Sequence, residues 1–207
     1  MTHNRCRLAV LGSGRGSNFK AVAENCTRDD FPVEIVVLVT DNPDAGAIGI
    51  AEEFGIPWRY VDVGEKRGHM KPGSEQQIVD ILGDFGVELV FLAGFMRILK
   101  EPLLNGFPNK ILNIHPSLLP SFKGLEAQRQ ALEYGVKIAG CSVHFVDKSV
   151  DGGPIILQAA VPVEDGDDSD ALAHRILAEE HRIASEAIKI VAGGAYRVEG
   201  RRVLLEP

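Results

Sequence analysis

The segment Ile111-Leu112-Asn113-Ile114-His115-Pro116 sets two polar side chains into an apolar run. Side chains alternate along a strand, so Asn113 and His115 share one face while Leu112 and Ile114 share the other. A central parallel strand is normally apolar on both faces. Polar groups at its carboxyl end break that pattern at the place where open α/β sheets bind ligands. Pro116 keeps His115 extended and ends the strand. Histidine can move a proton near neutral pH. An asparagine amide can donate to an oxygen that gains negative charge in a tetrahedral intermediate. A carboxylate near the imidazole would favour its charged form. Asp151, in Asp151-Gly152-Gly153, is available for this, with small neighbours that permit close backbone approach. No serine or cysteine has the context of a nucleophile, which points to one brought by a substrate, such as an amine. Asparagine is an unusual zinc ligand and no H-x-x-x-H pair occurs, so no metal is expected. Taken singly, His115 also fits a hydrogen-bonded structural histidine, and Asp151 a turn residue.

A second cluster is Gly12-Ser13-Gly14-Arg15-Gly16-Ser17-Asn18. It falls between a strand and a helix, where free N–H groups and the positive end of the helix dipole attract an anion. Ser17 and Asn18 could cap that helix or bond the anion. The spacing is G-x-G-x-G, one residue short of the dinucleotide fingerprint. Asp41 lies later than the ribose-binding acid expected ~20 residues beyond the glycines. A Walker loop is excluded because no Gly-Lys-Ser/Thr follows. A monophosphate cradle, a dinucleotide turn and a tight turn without ligand all fit the loop on its own.

Strands are expected at Leu8–Leu11, Val33–Val39, Trp58–Val63, Leu89–Leu92, Ile111–His115, Gly140–Asp147 and Ile155–Val163, with a terminal hairpin over Tyr196–Leu205. Helices are expected near Phe19–Asn25, Ala45–Phe54, Ser74–Phe85, Glu126–Glu133 and Ser169–Val191, with a short one at Pro102. Ser74 and Gln77 have the spacing of a capping box. Strand–helix alternation in the first half implies right-handed crossovers and a parallel sheet, followed by an antiparallel addition. Lys66–Gly73 is the most loop-like interior stretch. His3, His69 and His174 read as solvated positions.

The net charge of -7 argues against a nucleic-acid partner. Three widely spaced cysteines form no C-x-x-C, so neither a disulfide framework nor a zinc knuckle is indicated. The apolar run near the start is shorter than the roughly 7–15 residues of a secretory signal. No stretch reaches the ~18–20 apolar residues of a membrane span. These features predict a single cytoplasmic domain with no membrane partner.

Several long motifs, in order, resemble the folate-dependent formyltransferase family, and within it the phosphoribosylglycinamide formyltransferases. They are S-G-R-G-S-N at Ser13–Asn18, L-A-G-F-M-R-I-L at Leu92–Leu99 and L-N-I-H-P-S-L-L-P at Leu112–Pro120. Two more are the stretch Cys141–Gln158 and the pair Glu180-His181. The resemblance implies a formyltransferase fold, an α/β domain over 1–207 with a mostly parallel sheet of about seven strands flanked by helices. Residues 1–105 would form a phosphate-binding half, and 106–207 a catalytic and folate-binding half. The implied activity transfers the formyl group of 10-formyltetrahydrofolate, a co-substrate, to glycinamide ribonucleotide in purine synthesis, by a monomer or homodimer.

Residue by residue, the resemblance implies that Gly16, Ser17 and Asn18, with Arg15 beside them, hold the ribonucleotide phosphate. Glu180 would meet its ribose. Met96, Arg97, Ile98 and Leu99 would line the folate pteridine pocket, partly through backbone groups. Asn113 and His115 would attend the formyl carbon, with Asp151 tuning His115. Lys71 falls about where the family often has an arginine that approaches the folate; it keeps the charge but loses the planar fork. Gly12 stands where the family usually has an apolar residue. His144 lies near the site by the same resemblance and fits equally a packed strand histidine. Formyltetrahydrofolate hydrolases share the core motifs but usually carry an N-terminal regulatory domain, for which a strand beginning by about residue 8 leaves no room. Methionyl-tRNA formyltransferases usually add a C-terminal RNA-binding domain, which the end at Pro207 and the acidic charge argue against. A nucleotide-binding module or an NAD oxidoreductase would leave Asn113, His115 and Asp151 without a role.

Overall fold

A computed structural model describes residues 5–66 and 68–206. The first half runs β1 (Cys6–Leu11), α1 (Ser17–Cys26), β2 (Val33–Thr40), α2 (Gly46–Glu53), β3 (Trp58–Tyr60), α3 (Ser74–Asp84), β4 (Leu89–Leu92) and α4 (Glu101–Gly106). The second half runs β5 (Ile111–His115), α5 (Ala127–Tyr134), β6 (Ile138–Phe145), β7 (Ile155–Pro162), α6 (Ser169–Gly193), β8 (Tyr196–Glu199) and β9 (Arg202–Leu205). The strands form one sheet in the order β3-β2-β1-β4-β5-β6-β7-β9-β8. From β3 to β5 every pairing is parallel; β6 runs antiparallel to both β5 and β7.

The sheet has nine strands where the resemblance implies about seven, because the terminal hairpin joins it. Ile155 of β7 is in register with Arg202 of β9. Tyr196 stacks on Phe145 with ring centroids 5.5 Å apart.

Alternation along the central strands separates two apolar layers. Leu8, Val10, Phe91, Leu112, Cys141, Val143 and Phe145 pack against α1, α2 and α6. Ala9, Leu11, Val90, Leu92 and Ile111 pack against α3 and α4. Asn113 and His115 follow Ile111 on this second face, so they emerge where that apolar layer ends.

Strand order reverses between β1 and β4, and crevices open beyond the carboxyl ends of strands at such a switch. Here the glycine-rich loop leaves β1. Gly12 N–H donates to Val39 O at 3.0 Å and Ala93 N–H to Leu11 O at 2.9 Å. A Cβ at Gly12 would lie 3.0 Å from Ala93 O, a tight contact that the backbone would have to ease. Gly16 is the N-cap of α1 with φ 85, and a Cβ there would meet Ile50 Cδ1 at 2.8 Å and Ala47 Cα at 3.0 Å.

Local expectations fail in two places. Ser74 and Gln77 form no capping box: Gly73 in the left-handed region caps α3, and Ser74 Oγ donates to Lys71 O at 2.8 Å. The strand expected to reach Val63 stops at Tyr60, because β2 ends at Thr40 and offers no further ladder partner. His69 and His174 are exposed; His3 lies outside the described residues.

Gly16→Ala should cost about 1–3 kcal/mol, since it forces a side chain into a left-handed backbone and a filled space. Denaturant unfolding measures this, and an unchanged midpoint would show that the α1–α2 contact gives way.

Candidate active site

Register brings the polar residues together. In the antiparallel β5–β6 pair, Asn113 stands opposite His144 and His115 opposite Ser142. Gln158 of β7 stands opposite Ser142. One face of the sheet therefore carries a contiguous polar patch where its other rows are apolar.

Ser142 is fully buried and fixes the chain that follows His115. Its Oγ donates to Ser117 O at 2.6 Å and accepts from Leu119 N–H at 3.0 Å and from Gln158 Nε2 at 2.8 Å. Every hydrogen-bonding position on this buried hydroxyl is used, which is the condition for burying a polar group at little cost.

His144 is buried as well. Its Nδ1 lies 2.8 Å from Phe145 O, so Nδ1 carries the proton and Nε2 accepts from Asn113 Nδ2 at 3.2 Å. The Asn113 amide is thereby oriented and keeps a second N–H for the cleft. His115 Nε2 lies 2.9 Å from Phe122 O, and its Nδ1 is 3.4 Å from Asp151 Oδ2. Both ring nitrogens face oxygen acceptors, and only the imidazolium has a donor for each.

Asp151 sits at φ 45, in the left-handed region. The turn around it closes because Gly153 has no side chain: a Cβ there would lie 1.8 Å from Phe145 O. Asp151 Oδ2 accepts from Gly124 N–H at 2.8 Å, and Oδ1 is 3.8 Å from His144 Nε2. Burial pushes this carboxyl up. The hydrogen bond from the Gly124 amide and the facing His115 ring outweigh that and hold it below the ordinary 3.8.

These groups line a cleft of about 1070 Å³. Phe95–Leu99 forms a facing wall, and Ser13 reaches it from the glycine-rich loop. Met96, Ile98, Leu125 and Val150 keep exposed apolar surface at its mouth, suited to a flat apolar ligand. The amides of the first turn of α1, including Ser17 and Asn18, have no side-chain cap and no intrahelical acceptor. Asn18 is not itself a cap: its Nδ2 donates to Glu180 Oε2 at 2.8 Å. Burial pushes the Glu180 carboxyl up, and the Asn18 donor offsets part of this.

The family profile for formyl transferases matches residues 6–188. The chain belongs to the formyl transferase family. It is 40% identical over 187 residues to a phosphoribosylglycinamide formyltransferase of Bacillus subtilis, covering 90% of this chain and 95% of that protein. It is 44% identical over 199 residues to the trifunctional purine biosynthetic protein adenosine-3 of Gallus gallus, covering 94% of this chain but only 19% of that longer protein. A crystal structure of glycinamide ribonucleotide transformylase 1 from Symbiobacterium toebii superposes with a TM-score of 0.94 at 47% identity, covering 100% of this chain and 96% of that one.

The residues singled out by sequence fall into three places. Met96, Arg97, Ile98, Leu99, Asn113, His115 and Asp151 share the cleft. Gly16, Ser17, Asn18 and Glu180 cluster at the start of α1, with Arg15 exposed beside them. Lys71 stands apart from both: it pairs with Asp62 and lines a neighbouring cavity of about 600 Å³. That cavity shares Ile98 and Leu99 with the cleft. Sequence reasoning left His144 undecided and missed the Phe122 carbonyl and the Gly124 amide. The alternation of Ser142 and His144 was a usable signal for His144; backbone groups carry no such signal. Among the described residues, no three or more His, Cys, Asp or Glu are placed to hold a metal, and no helix is long and apolar enough to cross a membrane.

The lowered Asp151 carboxyl contributes stability that is fully present above 3.8 and is lost as pH falls through its folded value. Asp151→Asn should therefore lose about 1–3 kcal/mol of unfolding free energy near neutral pH. The gap to wild type should narrow below 3.8, as read by denaturant melts across that range. A gap constant with pH would show that folding does not favour the ionised carboxylate.

Proposed function

We propose that this chain transfers the formyl group of 10-formyltetrahydrofolate to the amine of glycinamide ribonucleotide, the formylation step of purine synthesis. The observation that carries this reading is the oriented Asn113–His144 and His115–Asp151 pairs at the end of β5. They face the cleft that Ser13 reaches from the glycine-rich loop, in a chain similar over most of its length to a protein named for that activity.

In this reading the ribonucleotide phosphate rests on the first-turn amides at Gly16–Asn18, with Arg15 at hand and Glu180 near the ribose. The folate ring enters against Met96–Leu99. The halves 1–105 and 106–207 each supply one side of the cleft. The amine attacks the formyl carbon, and its carbonyl oxygen gains negative charge. The free N–H of Asn113 and the Nε2–H of His115 stabilise that oxygen. To do so, His115 must exchange the Phe122 carbonyl for the substrate oxygen. Asp151 balances the imidazolium and, through water, passes a proton from the attacking amine to folate N10. The C–N bond to N10 then breaks and tetrahydrofolate leaves. No residue becomes acylated, in keeping with the lack of a nucleophilic serine or cysteine. Holding two substrates together supplies a large part of the rate. The reading carries with it a cytoplasmic location and a monomer or homodimer, with no nucleic-acid partner.

Asn113→Ala and His115→Ala should each lower turnover by ~10²–10³-fold or more while the protein stays folded. Near-normal turnover in either variant overturns the assignment. Following folate absorbance with and without glycinamide ribonucleotide separates transfer from hydrolysis: the change should require the ribonucleotide. An equal rate without it would identify a hydrolase. Arg15→Ala should raise the apparent KM for the ribonucleotide modestly, and an unchanged value removes Arg15 from the site.

A further inference from the structure

Asp41 stands immediately after β2, and the transfer chemistry does not use it. Its side chain is 6% exposed and that of its partner Arg97 is 15% exposed. Both carboxylate oxygens are engaged, from different segments. Oδ1 accepts from Ser13 Oγ, and Oδ2 accepts from Arg97 Nε at 2.5 Å. A second bond supports the first: Asn42 Nδ2 donates to Ser13 O at 3.1 Å. Arg97 in turn gathers the neighbouring loop. Its Nη1 donates to Lys66 O at 2.8 Å and to His69 O at 3.2 Å, and Ile98 N–H donates to Gly68 O at 3.0 Å.

One buried carboxylate therefore ties three places together: the glycine-rich loop, the backbone at Lys66, Gly68 and His69, and the 96–99 wall. Ser13 lies just ahead of the phosphate-type turn, and Arg97 lies inside the apolar wall of the cleft. A buried ion pair resists displacement, because separating the partners strands a charge away from water.

We infer that Asp41 is a positioning residue that sets the separation between the two substrate sites, one at the glycine-rich loop and one at the 96–99 wall. The identity of those substrates rests on the reading given above. The chemical reason is that a reaction between two bound molecules is steep in their separation: a misplacement of ~1 Å costs on the order of 10²-fold in rate. A link that holds two walls in register should act on the reaction of both substrates together more than on the binding of either.

The test is Asp41→Asn, which keeps the side-chain shape and removes the charge. With both substrates saturating, kcat should fall by about 10–100-fold, while the Kd of each substrate alone stays within about threefold. Arg97→Gln should lower kcat alike, its folate Kd being left out of the comparison because Arg97 lies in the folate wall, and kcat of the double variant should be no worse than that of the poorer single, because the two residues act as one unit. An unchanged kcat, the loss of one substrate's binding alone, or additive effects in the double variant would overturn the inference. Amide exchange on the unliganded protein gives a second readout: residues 12–18 and 68–71 should exchange faster together in Asp41→Asn, with β4 and β5 unchanged. If exchange rises in only one segment, the link does not exist. Wild-type protein without formyl transfer would sink the functional reading, yet the exchange result would still decide the link. Should Asp41→Asn fail to fold, Ser13→Ala removes one arm alone and should give the same pattern in weaker form.

Discussion

Strand β5 has two different neighbours. It pairs parallel with β4 and antiparallel with β6. Five residues must satisfy both ladders while their side chains alternate between two layers. Leu112 and Ile114 fill one layer, and Ile111 begins the other. Because β6 runs the opposite way, its polar residues come into register with Asn113 and His115. Its onward connection then doubles back to bring Asp151 to His115. The site is thus a product of the change in strand direction, and its residues cannot be separated from the sheet that holds them.

Burying so many polar groups requires that they satisfy one another. Ser142 uses every hydrogen-bonding position it has. His144 is locked into one tautomer by Phe145 O and in turn orients Asn113. Asp151 accepts from Gly124 and faces the His115 ring, so its charge has a partner on each of these sides. The His115–Phe122 contact differs in kind: the acceptor is a backbone carbonyl in a loop, which a ligand oxygen can replace. The orienting contacts are built from strands and buried side chains, and the replaceable one comes from a loop.

Much of this was legible before any coordinates. Asn113 and His115 followed from strand alternation, and the order of elements followed from periodicity. The family's motifs supplied Asp151, whose distance to His115 depends on a doubled-back loop that spacing does not encode. The Ser74–Gln77 capping box failed because Gly73, in the left-handed region, already turned the chain into the helix. Lys71 pairs with Asp62, an ion pair that local spacing does not reveal. Asp41 drew notice as a ribose acid, and its actual partners, Ser13 and Arg97, come from other strand ends. Local rules read a residue's own strand or turn well. They fail where the partner is supplied by another segment.

The ends of the sheet carry a separate consequence. The longest strands, β2, β6 and β7, are all interior, and the edges are the three-residue β3 and the four-residue β8. An exposed edge is a template on which another chain can pair, and a short one gives such pairing little purchase. The terminal hairpin lies outside β7, whose Ile155-Ile156-Leu157 run would otherwise border the sheet. Two modest strands that line no part of the cleft thereby help keep crowded copies of this chain from assembling edge to edge.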